Sequence, residues 1–325
     1  MKQRISIYPF ATLWITMCVL LASCVKADIH YPVDPTAYGV VEIYPDNSVH
    51  TLPALHYYFY NQDGITDYIK AKCDGMGNYS GLLDAGNYRV IALNASARNV
   101  VFGCIENYEI ATVSATFADI RMDPRTGALS AQNVLTQPDS VYRVVVEDLT
   151  ATGGDTLTFR PAPQLLTRRL ILVFSLEGDL AENVTALWGG LPGVLPSVNL
   201  FTGETSPQEA SRAPSLLVGY VAAPVEDSPN LWIASINLFG LHDPAFGGNY
   251  RNVMTVNLTI DGRTIDLDID LTEQLSLILE HYNGTLPVGI PLELEVALTW
   301  EEYGAAGQVK PWEEPGGDTE TPVPV

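Results

Sequence analysis

The stretch Val253-Met-Thr-Val-Asn-Leu-Thr-Ile260, followed by Asp261-Gly262-Arg263 and Thr264-Ile-Asp-Leu-Asp-Ile-Asp-Leu271, decides the fold class of this chain. On both sides of Asp261-Gly262 apolar and polar residues alternate, the period of a strand with one buried and one wet face. The Asp-Gly pair tolerates positive φ at the turn positions, as a tight hairpin requires. The spacing therefore predicts an antiparallel hairpin of 253–260 with 264–271.

Working outward, short β-patterned runs recur at 38–44, 54–60, 65–73, 88–94 and 141–148, with Pro45-Asp46-Asn47, Asp63-Gly64, Asp84-Ala85-Gly86 and Gly153-Gly154 as turn signals. Pro161-Ala162-Pro163 removes two backbone donors and favours an extended linker. Further runs follow at 168–176, 216–222, 231–238 and 292–300. Strands do not alternate with long amphipathic helices, which argues against a parallel α/β sheet. One helix is predicted after the hairpin, where Leu271, Leu275, Ile278, Leu279 and Tyr282 share a face. Asp270 with Glu273 reads as its capping box and Gly284 as its C′ residue. The expected fold is all-β: two tandem β-sandwiches over 37–163 and 164–309, with one short helix near the C-terminus. Residues 310–325, where Pro311, Pro315, Pro322 and Pro324 stand among acidic residues, are expected to form a disordered tail.

The first two dozen residues differ in character. Lys2 and Arg4 precede an apolar run, and 8–22 is about 15 residues long, short of the roughly 20 that a helix needs to span a hydrocarbon core. This is the layout of a secretory signal over 1–23. It ends in Leu21-Ala22-Ser23-Cys24, which resembles the lipobox of bacterial lipoproteins, where small residues before a cysteine permit diacylation of its thiol and cleavage just before it. Cys24 is thus the expected lipidation site, carrying a diacylglycerol and an N-acyl chain, and 24–36 the tether. One acyl chain binds a membrane only marginally, whereas two or three anchor it stably. The alternative is plain secretion with Cys24 as a free or paired thiol.

Seventeen Lys and Arg stand against 38 Asp and Glu, a net charge of −21. Such a surface repels phosphates and disfavours nucleic acid as a partner. The apolar fraction of 47% places the acidity on a folded body. Cys18 leaves with the signal, so Cys73 and Cys104 are the remaining thiols of the folded part. A disulfide between them would close a loop of about 30 residues, worth roughly 3–4 kcal/mol; the alternative is two small buried apolar side chains. With no second pair and no neighbouring His, zinc is disfavoured.

Other candidates for chemistry each have a plainer reading. Asp266, Asp268 and Asp270 point to one face of the predicted strand and are a calcium candidate. Strand neighbours two apart lie about 6–7 Å from each other, which suits a solvated outer face better. Gly75-Met-Gly-Asn-Tyr-Ser-Gly81 is one residue too long for a dinucleotide fingerprint, and no helix pattern follows it. The five His are scattered, and no nucleophile elbow occurs, so no enzymatic signature is visible. Tyr57-Tyr-Phe-Tyr60 should put one pair in the core and the other exposed or covered by a helix, which raises a sugar-stacking platform as the alternative to packing.

The layout as a whole is similar to Bacteroidales fimbrillin-like lipoproteins. The residues that carry the resemblance are the lipobox Cys24, the strand Tyr38-Gly-Val-Val-Glu-Ile-Tyr44, the strand entry Asp84-Ala-Gly-Asn-Tyr-Arg-Val-Ile-Ala92, Arg168-Arg-Leu-Ile-Leu-Val-Phe174 and Gly289-Ile-Pro-Leu-Glu-Leu-Glu-Val296. The resemblance implies transthyretin-like sandwiches and a non-catalytic outer-membrane lipoprotein that anchors a fimbria or serves as an accessory subunit. Its partners would be fimbrial subunits joined by β-strand addition, with the outer membrane reached through the lipid. The proline-rich tail is unfit to be a donor strand, which favours a terminal position. A surface glycan-binding lipoprotein is the alternative. Asp155-Thr156-Leu157 also resembles a short O-glycosylation sequon of Bacteroidota envelope proteins.

Overall fold

The computed structural model describes residues 36–46, 51–62, 68–94, 96–118, 133–243, 250–301 and 304–312. The signal, Cys24 and residues 313–325 lie outside the described residues. The first half holds β1 (Tyr38–Ile43), β2 (His56–Asn61), β3 (Tyr68–Lys72), β4 (Tyr79–Asp84), β5 (Gly86–Leu93), β6 (Val100–Gly103), β7 (Thr112–Ala115), β8 (Val134–Leu135), β9 (Tyr142–Ala151) and β10 (Thr156–Phe159). The second half holds β11 (Gln164–Leu165), β12 (Arg168–Leu176), β13 (Val184–Pro192), β14 (Ser197–Asn199), β15 (Leu217–Val225), β16 (Ser228–Leu238), β17 (Val253–Ile260), β18 (Arg263–Asp270), β19 (Leu292–Glu301) and β20 (Gly304–Val309). Short helices α1 (Leu180–Asn183) and α2 (Pro207–Arg212) precede the longer α3 (Thr272–His281). The all-β fold expected from the sequence is what forms.

The hairpin follows its sequence. β17 and β18 pair from Val253 opposite Asp270 to Ile260 opposite Arg263, and Asp261 (φ 50°) and Gly262 (φ 72°) both turn left-handed. Helix α3 buries Leu275, Ile278 and Leu279 completely, but its caps differ from expectation by one residue. Its N-cap is Leu271, and the Asp270 carboxylate accepts from the Thr272 amide at 3.0 Å and from the Thr272 hydroxyl, so no capping box with Glu273 forms. At the other end Asn283 (φ 55°) occupies C′ and Gly284 (φ 82°) the next position. Their amides reach back to the Glu280 carbonyl at 3.2 Å and the Leu279 carbonyl at 2.6 Å, which satisfies the last turn in a Schellman pattern.

In the first sandwich, the sheet β10-β1-β4 faces the sheet β11-β9-β5-β2-β3. Val41, Ile43, Tyr57, Phe59, Leu83, Val90 and Val144 fill the space between them. The expectation for Tyr57–Tyr60 needs correction. Tyr57 and Phe59 enter this core, yet Tyr58 and Tyr60 are also only 6% exposed, because they join the core on the other side with Ile91 and Leu93. The five-stranded sheet is therefore covered on both faces. Its second face packs on the 96–115 region, where the Tyr60 hydroxyl donates to the Ile105 carbonyl at 2.7 Å.

The second sandwich is one sheet of nine strands, β18-β17-β13-β15-β16-β12-β19-β20, with β8 added on β15. It folds over a core of Leu170, Leu172, Phe174, Leu187, Val256 and Leu294. Strand pairing runs across the two halves: β14 pairs with β7, β8 with β15, and β11 with β9 beyond Pro163. The first residues assigned to the tail are docked as well. The Trp312 amide donates to the Gln274 side chain at 2.8 Å, and its ring stands 5.3 Å from that of His281.

Candidate functional site

Each strand of an antiparallel sheet carries backbone donors and acceptors on both edges, so pairing that stops early leaves a place for another strand. This happens on β19. β12 pairs with it along Leu292–Leu298, whereas β20 begins only at Val296 opposite Val309, with one further bond from the Lys310 amide to the Glu295 carbonyl at 2.9 Å. The Trp312 amide turns to the Gln274 side chain instead, so among the described residues Leu292, Glu293 and Leu294 are paired on one side only. Beside this edge lies a groove of about 550 Å³ bounded by Tyr282, Ile290, Pro311 and Trp312. Ile290 is 65% exposed, a large apolar side chain left facing solvent on the groove wall.

The seam between the halves is built around one buried cation, Arg143, and one half-buried cation, Arg168. Arg143 on β9 reaches into the second half and donates to the carbonyls of Leu200 at 2.7 Å, Phe201 at 2.6 Å and Thr202 at 3.2 Å. The Gln164 side-chain oxygen takes two more of its N–H groups, at 2.9 and 2.7 Å. Gly203 (φ 79°) permits this approach, since a Cβ there would sit 2.9 Å from Arg143 Nη2. Arg168 opens β12 and donates to the carbonyls of Leu286 at 2.8 Å and Phe239. Burial lowers the pKa of both guanidiniums, and Arg168 adds to the effect on Arg143. Sequence reasoning picked out neither residue as functional, because what marks them is that among the described residues neither makes an ion pair, a spatial property.

The predicted site residues are not brought together. Asp266, Asp268 and Asp270 point outward from β18, and Asp270 is occupied by Thr272 and by an ion pair with Arg251. Burial raises the Asp270 pKa, but hydrogen bonds from Thr272 and Arg251 outweigh this and leave it lowered. Among the described residues no cluster of three or more His, Cys, Asp and Glu is placed to hold a metal, so the calcium candidate has no geometry behind it. Cys73 and Cys104 are both free thiols here. Cys73 follows β3 and packs on the first sandwich core, its Sγ accepting from the Leu55 amide at 2.9 Å; Cys104 sits exposed after β6, on a different sheet. The Gly75–Gly81 loop is an Asp-stapled turn, in which the Asp74 carboxylate accepts from the amides of Met76 and Asn78 at 2.8 Å each. Thr156 is exposed at the start of edge strand β10.

No protein-family model matches the sequence, and no curated protein matches it. Solved structures do. A candidate adhesin from Bacteroides ovatus superposes at a TM-score of 0.58 with 14% identity, covering 85% of this chain and 94% of its own. A candidate polysaccharide-binding protein from Bacteroides thetaiotaomicron gives 0.50 with 8% identity, covering 84% and 96%. The fimbrial anchor protein Mfa2 of Porphyromonas gingivalis gives 0.47 with 12% identity, covering 84% and 97%. The chain thus has, over most of its length, the tandem β-sandwich fold of the Bacteroides ovatus candidate adhesin.

Proposed function

We propose that this protein is a non-catalytic, lipid-anchored adhesion component of the outer membrane that serves as anchoring or accessory subunit of a fimbria. Cys24 would carry the lipid, and the folded body would hold a fimbrial subunit by accepting one of its strands. The observation that carries the reading is the edge at Leu292–Leu294, paired on one side only among the described residues, with a groove beside it whose walls include Ile290, Trp312, Glu293 and Lys310. Strand addition uses such a feature directly: backbone bonds supply affinity, and alternate side chains fill the groove. The Leu21–Cys24 pattern and the fold shared with a candidate adhesin support the same reading. The glycan-binding alternative draws on the likeness to a candidate polysaccharide-binding protein, but the aromatic strand that would have been its platform is buried.

The test uses tagged protein in its own cell envelope. Wild type should co-purify with a fimbrial subunit, and Ile290→Asp, which puts a charge on the groove wall, should lose it while remaining folded and membrane-bound. Cys24→Ala should move the mature chain to the soluble fraction. Binding to a polysaccharide array without any fimbrial partner would overturn the reading in favour of glycan capture.

A further inference from the structure

A buried charge is ordinarily paired with an opposite one, because desolvation without a partner is costly. Arg168 departs from this. Its side chain is half-buried and spends Nε and Nη1 on the neutral carbonyls of Leu286 and Phe239, while Nη2 makes none of these bonds. No carboxylate lies within ion-pair distance of it among the described residues, although the chain carries 38 acidic side chains. Arg143, held only by carbonyls and an amide, adds a second uncompensated positive charge close by.

Arg168 stands on the wall of a cavity of about 340 Å³ whose other walls include Leu195, Val198, Phe239, Leu241 and Leu286. Glu204, Thr205, His242, Asp243 and Thr285 also line it. The volume falls within the range of about 300–1,000 Å³ typical of small-molecule sites, where mostly apolar walls carry a few placed polar groups. We propose that this cavity binds a small monocarboxylate with a compact apolar body. The planar guanidinium suits a carboxylate geometrically as well as electrostatically. The apolar walls suit an aliphatic or aromatic body rather than a sugar ring. Glu204 and Asp243 also border the cavity, so like charge opposes any anion there, and a dianion such as phosphate about twice as strongly as a monocarboxylate seated on Arg168. The site lies apart from the β19 groove, and its occupancy does not depend on a fimbrial role.

The test is calorimetric titration of the mature chain with phenylacetate, alongside benzyl alcohol, glucuronate and inorganic phosphate. Phenylacetate should bind at one site at least about tenfold more tightly than each of the other three, a margin of about 1.4 kcal/mol. Arg168→Gln should weaken it by about tenfold or more. Because that change could unfold the seam, Ala210→Phe provides a second variant: it fills the cavity from α2, keeps Arg168, and should abolish binding without altering the circular-dichroism spectrum. Absence of saturable phenylacetate binding at millimolar concentration would overturn the proposal. So would binding that survives Ala210→Phe, or benzyl alcohol, glucuronate or phosphate binding as well as phenylacetate.

Discussion

Replacing Arg143 by Met keeps the apolar stem of the side chain and deletes five hydrogen bonds, three of them to the 200–202 segment. The bond to the Leu200 carbonyl is fully buried, so its loss leaves an acceptor with no water to turn to. The Phe201 and Thr202 carbonyls are only part-buried and rehydrate. A charge-assisted bond contributes about 1.5–3 kcal/mol, and with a smaller contribution from the other two the opening of this segment should become easier by about 2–4 kcal/mol. Hydrogen exchange followed by mass spectrometry reads this locally. The amides of Asn199, Leu200 and Gly203, which donate to Glu204, Ala111 and Asn199 at 2.7, 2.8 and 2.8 Å, should exchange about 30- to 700-fold faster. Amides of the β17–β18 hairpin should not change. If the three amides speed up less than about threefold, or if protection falls evenly everywhere, Arg143 does not clamp the two halves.

Three further outcomes are expected. Asp270→Ala removes the acceptor ahead of α3 and should cost about 1 kcal/mol at neutral pH. Since the folded-state pKa of Asp270 is lowered, its contribution is present above the usual carboxylate range and disappears as pH falls through the folded value, so urea midpoints of wild type and variant should converge in acid. Burial pushes the Tyr250 hydroxyl up to about 12, so its contribution to stability is fully present below the ordinary tyrosine pKa and is lost as pH rises from there to about 12. An ultraviolet titration in which Tyr250→Phe fails to remove a late phenolate step would contradict this. Under native conditions a thiol reagent should label exposed Cys104 rapidly and half-buried Cys73 slowly, and a mass two protons lighter than the dithiol chain would reveal the bond that is absent here.

The sequence was legible where structure is local. The 253–271 hairpin could be read because alternation and an Asp-Gly turn lie within one continuous stretch. Strand β13 escaped notice because Gly189, Gly190 and Pro192 look like turn residues. Gly189 instead makes room for Tyr220 and the Thr255 backbone, with a Cβ there meeting the Tyr220 hydroxyl at 2.6 Å. For the Tyr57–Tyr60 strand the sequence allowed a cover on the second face but not its nature, which is the β6–β7 region rather than a helix. The β14–β7 and β8–β15 pairings join residues far apart in the chain and leave no local pattern. The β19 edge is equally silent, since it depends on where β20 stops.

The parallel pairing of β1 with β10 has a mechanical meaning. Val40 to Ile43 lie opposite Thr156 to Phe159, and four more backbone bonds, among them Tyr44 to Phe159 at 2.9 Å and Asp46 to Pro161 at 3.0 Å, extend the contact at both ends. Whatever holds the chain ahead of Tyr38 pulls β1 from its start, while the rest of the molecule pulls β10 from its finish. On parallel neighbours those two points are at opposite ends, so tension runs along the strands and loads every bond of the row at once instead of parting them singly. A domain strung in this way resists extension by shear rather than by the parting of one bond at a time.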